Sequence, residues 1–77
     1  MIRDLVEYLV RALVDDPEAV EVEEFDEGGD LILEVSVADD DLGRVIGRGG
    51  RIANAIRSVA RAAGGREERR VIVDILD

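Results

Sequence analysis

The chain has 77 residues, with ten Arg, no Lys, nineteen acids, no His and no Cys, for a net charge of -9. At that length one core supports one domain, residues 1–77, and 47% apolar residues with a single proline are enough to fold it. Without Cys or His there is no disulfide framework, no thiolate or imidazole metal site and no histidine general base.

Ile2, Leu5, Val6, Leu9, Val10, Leu13 and Val14 recur on a 3.6-residue period, predicting an amphipathic helix over 2–14. Asp15-Asp16-Pro17 ends it, because a residue before proline is pushed out of the helical region. Val20 and Val22 alternate with glutamates as an edge strand, and Leu31, Leu33, Val35 and Val37 alternate as a second strand. The Asp26–Asp30 cluster with Gly28-Gly29 joins them as an antiparallel hairpin. Asp39 is the expected N-cap of the next helix, with Asp40 and Asp41 in its first turn. The three aspartates lack the alternating spacing of a calcium loop, so no metal site is expected. Leu42, Val45 and Ile46 form a short helix face that Gly47 interrupts. Ile52, Ile56, Val59, Ala60 and Ala63 then share one side of another helix, with Ile56 and Val59 expected in the core. Gly64-Gly65 is its expected left-handed stop. The apolar run from Val71 to Leu76 suits a strand buried on both faces.

The order is α-β-β-α-α-β. Its two-helix crossover favours parallel pairing of the second and third strands. The expected fold class is α+β, a three-stranded mixed sheet with three helices on one face. No apolar run approaches the ~20 residues of a membrane span, and charges near the N-terminus do not suit a signal peptide, which points to a soluble cytoplasmic module with no membrane role.

The charge is unevenly placed. Residues 1–41 hold 15 acids and two Arg, whereas Leu42–Arg66 holds six Arg and no acid. Such a local patch attracts phosphate despite the negative total, because screening limits electrostatics to ~10 Å. Within it lies Gly43-Arg44-Val45-Ile46-Gly47-Arg48-Gly49-Gly50-Arg51. A helix is broken at Gly47, a tight turn follows, and a second helix starts near Gly50. The N–H groups at that start lack intrahelical partners and carry positive potential. Glycines let a sugar-phosphate backbone come close, with Arg48 at the tip and Arg44 and Arg51 beside it. A Walker A loop needs a Lys, and the dinucleotide fingerprint needs a glycine where Ile52 stands.

The Val-Ile-Gly-Arg-Gly-Gly run between two helices resembles the GxxG loop of the KH-domain family, and the preceding α-β extension resembles its bacterial, type II form. The resemblance covers essentially the whole chain. It implies an RNA-binding protein whose loop, Gly47, Arg48, Gly49 and Gly50, clamps about four nucleotides of single-stranded RNA or DNA. Ile46 and Ile52, with one face of the Val35–Val37 strand, would line an apolar groove for bases, and Arg51 would meet adjacent phosphates. It implies further a homodimer, a larger KH- and R3H-containing RNA-binding partner, and work as an RNA chaperone or post-transcriptional regulator in bacteria. Two features depart from the family pattern, the small Ala53 after the loop and the absence of Lys.

With Tyr8 and Phe25 the only aromatics, base stacking is expected to contribute little. A competing reading is a KH-shaped acidic module that binds basic protein surfaces and no nucleic acid. An enzyme is the least favoured reading, since Ser36 and Ser58 have no His or Lys to activate them, and no cofactor is implied.

Overall fold

A computed structural model describes all residues from Met1 to Asp77. The elements are α1 (Ile2–Leu13), β1 (Glu21–Glu27), β2 (Asp30–Ser36), α2 (Leu42–Ile46), α3 (Arg51–Arg66) and β3 (Val71–Ile75). Short 3₁₀ turns lie at Pro17–Ala19, Asp39–Asp41 and Arg48–Gly50.

The sheet order is β1-β2-β3, with β1 antiparallel and β3 parallel to the central β2. The alternation along each strand decides which face is covered. Val22, Leu31, Leu33, Val35, Val71 and Val73 point inward, onto Ile2, Val6 and Val10 of α1, Val45 of α2 and Ile56 and Ala60 of α3. Leu33, Val6, Val10, Val35 and Val45 are fully buried. Each such side chain contributes about 1.5–3 kcal/mol relative to exposure, which makes this layer the main source of stability. On each outer strand a helix arginine donates to a strand carbonyl: Arg3 Nε to Val22 O at 2.8 Å and Arg57 Nε to Val73 O at 3.1 Å.

Three local expectations are corrected. First, β3 is an outer strand with one bare face: Val71 and Val73 are buried while Ile72 and Asp74 are exposed. Its apolar run reflects parallel pairing rather than double-sided burial.

Second, Gly64 and Gly65 stay helical, and the left-handed residue is Glu68, at φ 57°. The N–H of Arg69 reaches Gly64 O at 2.8 Å and that of Glu68 reaches Gly65 O at 3.3 Å, closing a Schellman-type end. Gly64 is kept small for a different reason. A Cβ there would meet the Val71 side chain and come within 2.7 Å of Arg69 O, so α3 and the start of β3 pack with their backbones close.

Third, Asp39 makes no side-chain cap, and it is Asp41 that turns inward. The Asp41 carboxylate accepts the N–H groups of Asp15 at 3.0 Å and Asp16 at 3.1 Å, and Arg44 Nε lies 3.2 Å away. It ties the end of α1 to the start of α2.

The backbone hydrogen bond from Asp15, reinforced by that from Asp16 and by the Arg44 charge, holds the Asp41 carboxyl below its ordinary value of 3.8. A depressed folded-state pKa contributes stability that is fully present above 3.8 and is lost as pH falls through the lower folded value. Thermal melts should therefore show wild-type well above Asp41→Asn near neutrality, with the gap closing as pH drops below 3.8. A gap independent of pH would contradict this role.

Candidate nucleic-acid interface

The loop between α2 and α3 is set by glycine geometry. Gly47 has φ 76° and ψ 172°, a region essentially restricted to glycine, and its N–H closes α2 on Gly43 O at 2.9 Å. A Cβ at Gly47 would come within 2.7 Å of Ile52 Cγ1 and 3.0 Å of the Ile52 nitrogen. At the tip, Gly49 (φ 64°, ψ 18°) has open space where a side chain would be, and Arg48 beside it is exposed. The chain thus presents bare backbone and one guanidinium at the start of a 16-residue helix, where unpartnered N–H groups and the helix dipole favour an anion.

The loop is one end of a longer feature. Gly50, Asn54, Arg57, Arg61 and Gly65 follow one another at helical spacing along α3. Arg57 Nη1 donates to Asn54 Oδ1 at 3.3 Å, linking two of them. This ridge faces β3 across a groove of about 480 Å³ lined by Arg57, Arg61, Arg69, Arg70 and the β3 residues Val71 to Val73. The floor also offers backbone. Arg70 O bonds to Leu31 N, and Leu76 N bonds to Val35 O, both toward β2. Strand alternation then turns the peptide groups of Val71, Val73 and Ile75 to the free edge, where Arg57 holds Val73 O.

The ion pairs show which arginines remain available. Arg3, Arg11, Arg44 and Arg69 lie within 4 Å of carboxylates. Arg48, Arg51, Arg57, Arg61, Arg66 and Arg70 have no such partner. Apart from Arg44, the basic segment is therefore not neutralised by the acidic half: Arg48 stands exposed on the loop and Arg57 and Arg61 line the α3 side of the groove, while Arg51 borders a second groove, between α1 and α3.

Two placements differ from the sequence-based expectation. Arg44 does not stand free beside the loop: its Nη2 is 2.9 Å from Asp15 Oδ2 and its Nε 3.2 Å from Asp41 Oδ1. Nor do Ile46, Ile52 and the Val35–Val37 strand form one groove. Val35 is fully buried, Ile46 is half-buried at the end of α2, and Ile52 turns toward α1. There it joins Leu9, Leu13, Ile56 and Val59 around a separate apolar groove of about 350 Å³ between α1 and α3. Val59, expected in the core, is 42% exposed on its rim, and Leu13 is 37% exposed.

The sequence-based expectation left out Arg57, Arg61, Arg69 and Arg70 as lining residues. The signal was available for Arg57, one turn after Asn54 on the loop's own helix. Arg69 and Arg70 needed the packing of β3 against α3 to be known.

Residues 3–75 match the family model described as KhpA/KhpB, KH domain. Among similar proteins is the RNA-binding protein KhpA of Halalkalibacterium halodurans, 51% identical over 75 residues, covering 97% of this chain and 99% of the relative. Those of Caldanaerobacter subterraneus and Streptomyces coelicolor are 49% and 45% identical, covering 95% and 97% of this chain and 97% and 95% of theirs. The crystal structure of an Aquifex aeolicus Era variant bound to GDP.AlF4- superposes with a TM-score of 0.63 at 19% identity, covering 96% of this chain and 29% of that one. At that identity the likeness concerns the fold.

Proposed function

The chain belongs to the KhpA/KhpB KH-domain family, and on that premise we propose that it is an RNA-binding protein, a binding module rather than an enzyme, that holds single-stranded RNA across the Gly47–Gly50 loop and the α3–β3 groove. The observation that carries this reading is the line of unpaired arginines running from the loop down the groove. Gly47, Arg48, Gly49 and Gly50 clamp the sugar-phosphate backbone, and Arg51 meets the adjacent phosphate. Arg57, Arg61 and Arg70 follow the strand onward, while the edge-facing peptide group of Val71 and the N–H of Val73 offer donors and an acceptor to base edges, the Val73 carbonyl being held by Arg57. Arg44 serves by fixing α2 through Asp15 and Asp41, and Ile46 and Ile52 serve by shaping the loop from behind. Recognition without aromatic stacking is loose in sequence and modest in affinity.

Salt dependence tests the extent of the site. A loop gripping two or three phosphates gives a log–log slope of about -1.4 to -2.1 on single strands. Engagement of Arg61 and Arg70 adds about -1.4, and Arg61→Ala with Arg70→Ala should return the slope to the loop-only value. A slope unchanged by that double variant would remove the groove from the interface.

A weak four-nucleotide grip gains from a second copy, since linked sites raise effective concentration without new contacts. The apolar groove between α1 and α3, with Leu9, Leu13 and Val59 on its rim, supports self-association through that face. Val59→Asp should convert a dimer to a monomer in light scattering while leaving thermal stability within about 1 kcal/mol, as expected for an exposed position. An unchanged mass would reject this face. A larger KH- and R3H-containing (KhpB-like) partner, and service in the cytoplasm as an RNA chaperone or post-transcriptional regulator, complete the proposal. No helix of the structure is long and apolar enough to cross a membrane.

A further inference from the structure

The face of the sheet turned away from the helices has its own pattern. Strand register places Phe25, Ile32 and Ile72 side by side across β1, β2 and β3. Phe25 is 40% and Ile72 36% exposed, and nothing covers them. Two residues along the strands on one side lie Glu23, Glu34 and Asp74, again in register. On the other side lie Glu27 and Asp30, while Glu21 extends the first side further along β1. None of these carboxylates forms an ion pair, although Arg3, Arg11, Arg44 and Arg69 show that the chain pairs its acids elsewhere. Carboxylates opposed directly across neighbouring strands destabilise the sheet, so the arrangement works against folding in the isolated chain. A cationic partner would relieve it.

We infer that this open sheet face is a protein-docking surface for a basic amphipathic helix of a partner, meeting the RNA-facing groove only at the β3 edge, where Ile72 borders both. The dimensions fit. Strands ~4.8 Å apart make the apolar row about 10 Å long, and the acidic rows stand about 6.6 Å to either side along the strands. A helix laid along the row has a diameter of about 10–12 Å with side chains. It covers Phe25, Ile32 and Ile72 with one apolar stripe and directs Arg or Lys from both flanks onto Glu23, Glu34 and Asp74 and onto Glu27 and Asp30. A helical layer on each face of the sheet completes an ordinary three-layer architecture. The surface does not suit RNA, whose phosphates the carboxylates repel. The two faces thus divide the work, one positive for RNA and one acidic for protein, and the chain can hold both at once.

The test uses a labelled 18-residue synthetic helix with Leu at i, i+3, i+4 and i+7 and Arg on both flanks, against a control carrying Glu in place of Arg. Fluorescence anisotropy should show saturable binding of the Arg peptide only. Amide shift changes in the ¹⁵N-labelled protein should centre on Phe25, Ile32 and Glu34. Phe25→Ser and Glu34→Arg should each weaken binding at least tenfold, and Glu34→Arg should leave affinity for a ten-nucleotide RNA no weaker than before. Binding unaffected by Phe25→Ser would mean diffuse charge attraction and overturn the proposal. So would shift changes centred on the α1–α3 groove, or no binding at millimolar peptide. Conversion of a dimer to a monomer by Phe25→Ser or Glu34→Arg would make a second copy the occupant and equally overturn it.

Discussion

Replacing both Arg48 and Gly49 by aspartate is expected to weaken binding of an unstructured ten-nucleotide RNA at least 100-fold, measured by fluorescence anisotropy at low salt. Arg48 is the exposed cation at the tip, and Gly49 leaves the backbone open beside it. The substitution removes charge-assisted hydrogen bonds worth about 1.5–3 kcal/mol each and sets two carboxylates against a phosphate. A 100-fold loss corresponds to about 2.7 kcal/mol, well within that loss. Stability should change by no more than about 1 kcal/mol. Both side chains project into solvent, and aspartate tolerates the left-handed conformation that Gly49 adopts. RNA binding by the variant as tight as by the parent would remove the loop from the interface.

A stability effect of comparable size is expected at Gly47, where alanine should cost about 3 kcal/mol. Its φ of 76° with ψ of 172° costs about 1–3 kcal/mol for any residue with a Cβ. The added atom would also stand 3.0 Å from the Ile52 backbone nitrogen, so the start of α3 must shift, which adds a packing cost of similar order. In a domain of this size, that lowers the melting temperature by about 12 to 24 °C. Gly49→Ala meets nothing within 4 Å and should cost only about 1 kcal/mol. Equal losses at the two positions would show that the corner is not held by the contact between Gly47 and Ile52.

The element order, the mixed sheet and the broken helix pair were legible because each depends on local signals. The stripe from Ile2 to Val14, the alternation of Leu31 to Val37 and the break at Gly47 each fix their element without tertiary information. What failed depended on neighbours. Gly64 looks like a helix stop until β3 is packed against it, and only then is its small size needed in mid-helix. Asp41 reads as a first-turn acid, but two free N–H groups at the end of α1 draw it inward. Val59 fits the apolar side of α3, yet that side is wider than the core it meets, so part of it is left to line a groove with α1. Arg44 looked like a member of the cationic cluster because Asp15 is distant in sequence and close in space. The loop glycines and Arg48 stand out as a unit through their place between two amphipathic helices, within an acid-free arginine segment and ahead of a strand, whereas the second wall of the groove, Arg69 and Arg70 with β3, appears only when the strand docks beside α3.

The most direct test of the RNA-facing surface is a titration of ¹⁵N-labelled protein with the same ten-nucleotide RNA, followed by amide chemical shifts. The changes should centre on Arg48, Gly49, Gly50 and Arg51 and continue through Asn54, Arg57, Arg61 and Val71 to Val73. Leu9 and Leu13 on α1, and Phe25, Glu23 and Glu34 on the open sheet face, should stay unmoved. Shifts confined to the α1–α3 groove or to the sheet face, or none at all in folded protein, would contradict the assignment of the loop and its groove as the RNA-binding surface.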